Sequence, residues 1–292
     1  MERFRFIASN LNRYPVEKMC KMLLVSSSGY YKWVKRPLSK RVMENEALTG
    51  KIRQVYDESR GIYGSPRITR HLVNHGVHVS QPRVARLMRK IGLKSITRKK
   101  YRICTTDSSH GYRICKNHLD RDFSTQEIGR KWVSDMTYIT TRQGWLYLTT
   151  VMDLADRKII GWSLSDGMKA GQTVIPAFKM ALANRKPNGS FLFHSDRGVQ
   201  YACDEFKALL KKYSVLQSMS RKGNCWDNAP MESFFKSMKS EWTYHHEYLD
   251  TRQASVAVFE YIESWYNRKR LHSALGYLTP AQYEKLLSSE AA

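Results

Sequence analysis

Apolar positions recur along this chain with two different periods, and the period changes near residue 130. Before that point the spacing is helical. Residues 16–36 read as a short helix, a Ser26-Ser27-Ser28-Gly29 turn and a second helix carrying Tyr30, Tyr31 and Trp33, closed by Pro37. That is a helix-turn-helix outline. Over 44–59, Leu48, Ile52, Val55 and Tyr56 fall on one helical face. A turn at 61–64 precedes Ser65-Pro66, which opens a helix to about Asn74, and Gly76 ends it. Ser80 then caps a third helix through Lys90, with Val84, Leu87, Met88 and Ile91 inward. Residues 94–125 show no clear period.

From Lys131 the alternation becomes that of strands. Trp132–Thr140, Trp145–Asp153 and Lys158–Ser165 predict a three-strand antiparallel meander, followed by a helix over Ala170–Asn184. Phe191–Ser195 is a short buried strand, Cys203–Tyr213 a helix and Val215–Met219 a strand, giving the order βββαβαβα. The last helix is the best signalled. Asn228 is placed as its N-cap and Pro230 lies in its first turn, where a missing N–H costs little. Met231, Phe235, Met238 and Trp242 form its apolar stripe, and Glu232, Lys236 and Lys239 share a neighbouring face. Taken alone, that polar face reads equally as a solvated, salt-bridged surface.

Charge adds a partner to this picture. The 292 residues are 42% hydrophobic, in keeping with a folded chain, and carry a formal charge of +23. Residues 1–125 hold 27 basic and 9 acidic side chains, and residues 126–292 hold 22 and 17, so the net charge is +18 in the first part and +5 in the second. A concentrated basic half implies a polyanionic partner, with nucleic acid leading. On the outer side of the third helix stand Arg83, Arg86, Arg89 and Lys90, which suits docking in a DNA groove or, more simply, a solvated basic face. Arg98, Lys99 and Lys100 open the aperiodic segment and make it a basic linker able to track phosphates.

No run of about 18 apolar residues and no signal-peptide core are present, so a cytoplasmic protein without a membrane span is expected. Five cysteines without a CxxC pair suggest reduced thiols. Cys104, His110, Cys115 and His118 are zinc-ligand types, but their spacing matches no familiar finger.

Candidate chemistry lies in three acids. Asp135 sits within the first strand of the βαβ block among Trp132, Val133, Met136, Tyr138 and Ile139, a costly place for a charge that lacks a partner. Asp196 follows the fourth strand, and Glu232 opens the last helix. In a sheet of this order strands one and four are usually neighbours, which brings their ends together. Three such carboxylates would repel by about 4 kcal/mol per pair at an effective dielectric near 20, a penalty that divalent cations reverse. Oxygen-only donors select Mg²⁺ or Mn²⁺, and two such ions can stabilise both oxygens of an in-line phosphoryl displacement. Singly, each acid has a plain reading: Asp196 as a turn former, Glu232 as a first-turn helix acid, Asp135 as an ion-paired strand residue. Asp153 and Asp227 are rival acids in similar positions.

Sixty residues separate Asp135 from Asp196 and 35 separate Asp196 from Glu232. With this spacing, WVSDMTYI at 132–139, VMDLADRKIIGW at 151–162, HSDRGVQY at 194–201, SRKGNCWDNAPMESFFKSMKSE at 220–241 and YNRKRLHSALGYLTPAQYE at 266–284 resemble the DDE transposases of bacterial insertion sequences, relatives of retroviral integrases. The match is to the second-reading-frame product of the insertion sequence three family. ESRGIYGSPRI and VSQPRVARLMRKIGL extend it to nearly the whole chain.

The resemblance implies an α/β fold: an RNase H-like core with a mixed five-stranded sheet and flanking helices, preceded by a helix-turn-helix-like DNA-binding region. Asp135, Asp196 and Glu232 would be the catalytic, metal-binding triad with two Mg²⁺ (or Mn²⁺), and Lys239 would contact transposon-end DNA, with Lys236 beside it. The expected layout is a helical segment over 1–40, a three-helix DNA-binding domain over 44–93, the basic linker 94–125, the catalytic core 126–246 and a helical extension 247–292.

The resemblance further implies double-stranded DNA as partner, namely terminal inverted repeats and target, handled near the nucleoid by at least a dimer of this chain. An upstream helix-turn-helix and leucine zipper usually join by frameshift fusion in this family, and the present chain begins after them. A nuclease of the same fold without strand transfer and a catalytically silent DNA-binding repressor are the alternatives.

Overall fold

The computed structural model describes residues 2–37, 39–96, 111–187 and 189–290, in two compact units divided between residues 94 and 95. Each is described by itself.

The first unit is helical. α1 (Glu2–Ser9), α2 (Val16–Met22) and α3 (Ser27–Val34) close around Ile7, Met19, Cys20 and Tyr30, with Phe4 and Trp33 packed against them. The Ser26 hydroxyl accepts the Gly29 N–H at 3.1 Å and so caps α3. Helix α1 is an element that the periodicity does not predict. α4 (Lys40–Glu58), α5 (Ser65–Asn74) and α6 (Gln81–Lys90) form the second three-helix cluster, burying Leu48, Ile52, Val55, Ile68, Leu72, Val84, Leu87 and Met88. Prolines at the first turns of α5 and α6 occupy positions whose N–H would have no helical partner. α4 starts at Lys40 rather than near Glu44, because Ser39 already has the extended backbone of an N-cap and nothing between them opposes a helix.

The second unit carries a five-stranded mixed sheet of order β3-β2-β1-β4-β5. β1 (Lys131–Thr141), β2 (Gly144–Asp153) and β3 (Ile159–Ser165) are the antiparallel meander, and β4 (Leu192–Ser195) and β5 (Leu216–Met219) add in parallel. Strands one and four are neighbours, as expected, with Trp132 opposite Phe193. α7 (Val174–Asn184), α8 (Val199–Ala202) and α9 (Asp204–Lys212) cover one face around Trp132, Phe178, Phe193, Tyr201 and Phe206. Gly161 allows the close approach of α7: a Cβ there would stand 2.2 Å from the Ala177 carbonyl oxygen.

α10 (Ala229–Glu241) buries its predicted stripe and also Phe234, which meets the Tyr266 ring edge-on at 4.7 Å. It is therefore covered on two sides. α11 (Thr251–Phe259) continues into a π-helical stretch, Glu260–Tyr266, whose wider turn buries Tyr261, Ile262, Trp265 and Tyr266. α12 (Pro280–Glu290) closes the chain. These C-terminal helices are fastened to the sheet. The Asn267 carboxamide donates to the Ile159 carbonyl at 2.9 Å and accepts its N–H at 3.0 Å, and Glu284 meets Arg185 and Lys158.

Residues 111–125 lack regular structure, as the missing period suggests, but they are not free chain. They lie along the outer edge of β5, where the His118 and Leu119 N–H groups donate to the Ser218 hydroxyl at 2.8 and 3.1 Å. An edge strand left bare would expose its hydrogen-bonding row. Among the described residues the cysteines carry no disulfide, and no helix is long and apolar enough to cross a membrane. Cys104 and His110 lie outside the described residues.

Candidate active site

Alternation along β1 turns Trp132 and Ser134 to the α7–α9 face, where the Ser134 hydroxyl pairs with the Tyr201 phenol at 2.8 Å. Asp135 leaves that face. Its carboxylate accepts the Met136 N–H at 2.8 Å, and it keeps part of its surface open although protein atoms crowd around it. That crowding, then the nearby charge of Asp196 and, less, that of Glu232, hold its carboxyl well above the usual range, while the Met136 N–H and Lys239 pull the other way. Three carboxylates from three separate elements thus share one electrostatic environment.

Asp196 directly follows β4 and accepts the Gly198 N–H at 2.9 Å, an Asx turn that fixes the carboxylate at the strand end. Glu232 stands exposed in the first turn of α10. The start of that helix is tied to the neighbour of Asp135, since the Asn228 amide donates to the Ser134 carbonyl at 3.0 Å. Asn228 occupies the predicted N-cap position, but its side chain makes no cap bond. It tethers the helix to the strand instead.

Among the described residues, no three His, Cys, Asp or Glu side chains stand close enough together to hold a metal ion as placed. In donor chemistry the set fits a hard cation, because it offers oxygen ligands only.

Lys239 supplies the local positive charge. Its ammonium lies 4.7 Å from the centre of the Tyr138 ring, and burial lowers its basicity while Asp135 raises it. Lys236, one turn earlier, is exposed. Burial, then Asp135 and Asp196, push the Tyr201 phenol well up, so it remains protonated beside the acids.

The rival acids are occupied elsewhere. Asp227 is fully covered, accepting from Arg221 at 2.7 and 2.9 Å, Arg121 at 2.8 Å and Asn117 at 3.1 Å, and these partners hold its carboxyl well below the usual range, Arg221 first. Asp153 receives the Gly129 N–H at 2.7 Å, the Ala155 N–H at 3.0 Å and the Arg185 guanidinium at 2.7 Å.

His194, in the same motif as Asp196, went unread in the sequence. It is fully buried, with Nδ1 2.8 Å from the Ser218 hydroxyl and Nε2 3.1 Å from that of Ser220. Because Ser218 already accepts two backbone N–H groups, its own proton goes to Nδ1. Nε2–H then donates to Ser220. Burial holds the imidazole down, to about 4, against a smaller upward pull from Asp227. Neutral His194 thereby links β4 to the end of β5 just before Asp196.

In the first unit, Arg86, Arg89 and Lys90 lie exposed on α6. Arg83 is already engaged with α4, donating to Asn45 at 3.0 Å and pairing with Glu44 at 3.4 Å. Arg98, Lys99 and Lys100 lie outside the described residues.

Three family models match the chain. An integrase core domain model matches residues 125–225, a second integrase core domain model matches 213–280, and an HTH-like domain model matches 43–101. Among solved structures, the simian T-cell lymphotropic virus intasome in complex with PP2A regulatory subunit B56 gamma is similar at TM-score 0.46 and 12% identity, over 80% of this chain and 73% of that one. The HTLV-2 integrase catalytic core domain in complex with magnesium is similar at 0.40 and 14%, over 53% and 95%.

Curated relatives are nearer. Transposase InsF for insertion sequence IS3A of Escherichia coli K12 is 36% identical over 284 residues, 97% of this chain and 98% of its own length. An uncharacterized 31 kDa protein of insertion element IS600 from Shigella sonnei is 36% identical over 274 residues, 94% of this chain and all of its own length. With relatedness at that level along almost its entire length, and an RNase H-like integrase core behind a helix-turn-helix-like domain, the chain belongs to the IS3-family transposases, polynucleotidyl transferases of the DDE type.

Proposed function

We propose that this transposase binds the terminal inverted repeats of its element and carries out metal-dependent cleavage there, followed by attack of the freed 3′-hydroxyl on a second phosphodiester. The observation that carries this reading is placement: Asp135 lies on β1, Asp196 just past the neighbouring strand β4, and Glu232 on a helix whose start is bonded to Ser134 beside Asp135. Two Mg²⁺ (or Mn²⁺) ions bound by these oxygens would neutralise the three acids and stabilise the attacking and leaving oxygens of an in-line displacement.

The chain's own groups do the positioning. The Met136 and Gly198 N–H groups orient Asp135 and Asp196 before any substrate arrives. Glu232, on the first turn of a helix tethered through Asn228, closes on them from the other side. Lys239 is a countercharge to Asp135 and would meet a DNA phosphate at the site, with Lys236 following the strand along α10. Residues 1–40 and 44–93 and the basic run in the 94–125 linker hold the element ends, Arg86, Arg89 and Lys90 from the open side of α6 with Arg83 beside them, and Arg98, Lys99 and Lys100 from the linker. Joining two ends calls for at least two copies of the chain on DNA.

Asp196→Asn tests this directly. End-DNA binding is expected to persist in a mobility-shift assay while Mg²⁺-dependent nicking and joining fall to background. Full activity in that variant would sink the proposal.

A further inference from the structure

Of the six tryptophans in the second unit, Trp132, Trp242 and Trp265 are buried, Trp162 is partly covered, and Trp145, 51% exposed, packs edge-on against the Tyr138 ring at 4.6 Å. Trp226 is 66% exposed and contacts no other ring among the described residues. An indole that large in water has a cost unless something covers it. What surrounds it in sequence is held firmly. Trp226 lies in the 3-10 turn Cys225–Asn228. The next residue, Asp227, is clamped by Arg221, Arg121 and Asn117. The one after, Asn228, is bonded to the Ser134 carbonyl beside Asp135. The indole is therefore displayed on a rigid turn, within about two residues' length of chain, or 7 Å, from a residue that touches the strand carrying the first acid.

We propose that Trp226 is a stacking platform for an unpaired nucleobase of the DNA end, next to the phosphate that reaches Asp135, Asp196 and Glu232. Three features favour a base over a protein partner. Lys222 stands exposed on the loop leading to the indole, a positive charge that draws polyanions. A base unstacked at an opened duplex end needs a new π-face. The anchored turn supplies that face without ordering a loop on binding. Trp226 is thus a positioning residue for the strand end, and it accepts any base because stacking is sequence-tolerant.

This inference rests on the proposed active site, so its test keeps the two apart. Full-length protein is bound to duplexes of the element end carrying 5-iodouracil at each of the three base positions nearest the cleaved phosphate, on either strand, and cross-linked with long-wavelength ultraviolet light. A cross-link mapped to Trp226 by mass spectrometry is expected, absent in Trp226→Ala and equal to wild type in Asp196→Asn. Trp226→Ala should weaken binding to end DNA about tenfold, the effect of losing one base–aromatic stack, whereas Trp226→Phe should stay close to wild type.

Should the wild type cleave DNA and yet give no cross-link within 221–228 at any position, the stack is wrong and the active-site reading stands. Should the cross-link form while Asp196→Asn cleaves normally, the active-site reading falls and the stack stands. If Trp226→Ala alters the oligomeric state of the DNA-free protein and no cross-link forms in the wild type, the indole belongs to a protein contact and the proposal is overturned.

Discussion

Asp227 shows at the scale of one residue how a carboxylate beside a reaction site can be wholly committed to structure. Five donors from Arg221, Arg121 and Asn117 fill its oxygens, and Arg221 above all keeps its carboxyl ionised well below the usual range. A carboxyl depressed by folding stabilises the native state fully above its unfolded value, near 3.9, and the contribution is lost as pH falls below that. Acidification from pH 5 to pH 3 is therefore expected to lower the unfolding midpoint, and Asp227→Asn to lower it by several degrees at pH 7 while flattening the acid-side decline. Circular dichroism melts at both pH values check this. A variant with unchanged stability and an unchanged acid profile contradicts the assignment. Residue spacing alone lists Asp227 as a rival acid; the family resemblance sets it aside as a loop residue, but neither names its partners, two of which, Arg121 and Asn117, lie 106 and 110 residues away. Asn228 is the same kind of case: its position at the helix start was legible from local rules, but its bond to Ser134 was not, since 94 residues intervene.

Among the elements, α10 links the acid cluster to the stability of the core, because it bears Glu232 at one end and a buried ion pair at the other. The Arg270 guanidinium donates to both oxygens of Glu241 at 2.7 Å and to the Ser237 hydroxyl at 3.0 Å, and both Arg270 and Glu241 are buried, at 5% and 3% exposure. A charge left alone there has no solvent to turn to. Arg270→Ala is expected to destabilise the protein by about 3–5 kcal/mol, and simultaneous apolar replacement of Arg270 and Glu241 to recover much of that. Denaturant unfolding of the two variants makes the comparison. Equal losses in both would show that the pair does not act as a pair. The elements themselves were largely readable: strand alternation, Gly and Pro punctuation and the stripe on α10 are local signals, and the adjacency of β1 and β4 followed from element order. What was not readable depends on contacts between distant segments. Phe234 falls outside the predicted stripe because what covers it, Tyr261 and Tyr266, comes from the π-helical stretch, and residues 111–125 read as a linker because their order comes from β5 rather than from their own pattern.

For the whole molecule the governing quantity is the uneven charge, +18 over residues 1–125 against +5 over the rest. If the basic part carries the DNA, affinity must fall with salt, since each phosphate neutralised releases condensed counterions and adds about −0.9 to the slope of log K against log salt. Exposed and engaged side chains on one helix can then be told apart. Arg86, Arg89 and Lys90 are open on α6, so replacing all three with alanine is expected to reduce the magnitude of that slope by up to about three. Arg83 is tied to Asn45 and Glu44, so Arg83→Ala should chiefly loosen α4 from α6, lowering thermal stability while changing the slope by less than one. Asp196→Asn, distant from this function by the same reasoning, should leave the slope unchanged or slightly steeper, because one negative charge has been removed from the DNA-facing site. Titrations of end DNA between about 50 and 200 mM salt separate these outcomes. A triple variant whose slope matches the wild type would move the electrostatic footprint off α6 and leave it to other basic side chains of the first 125 residues or to α10.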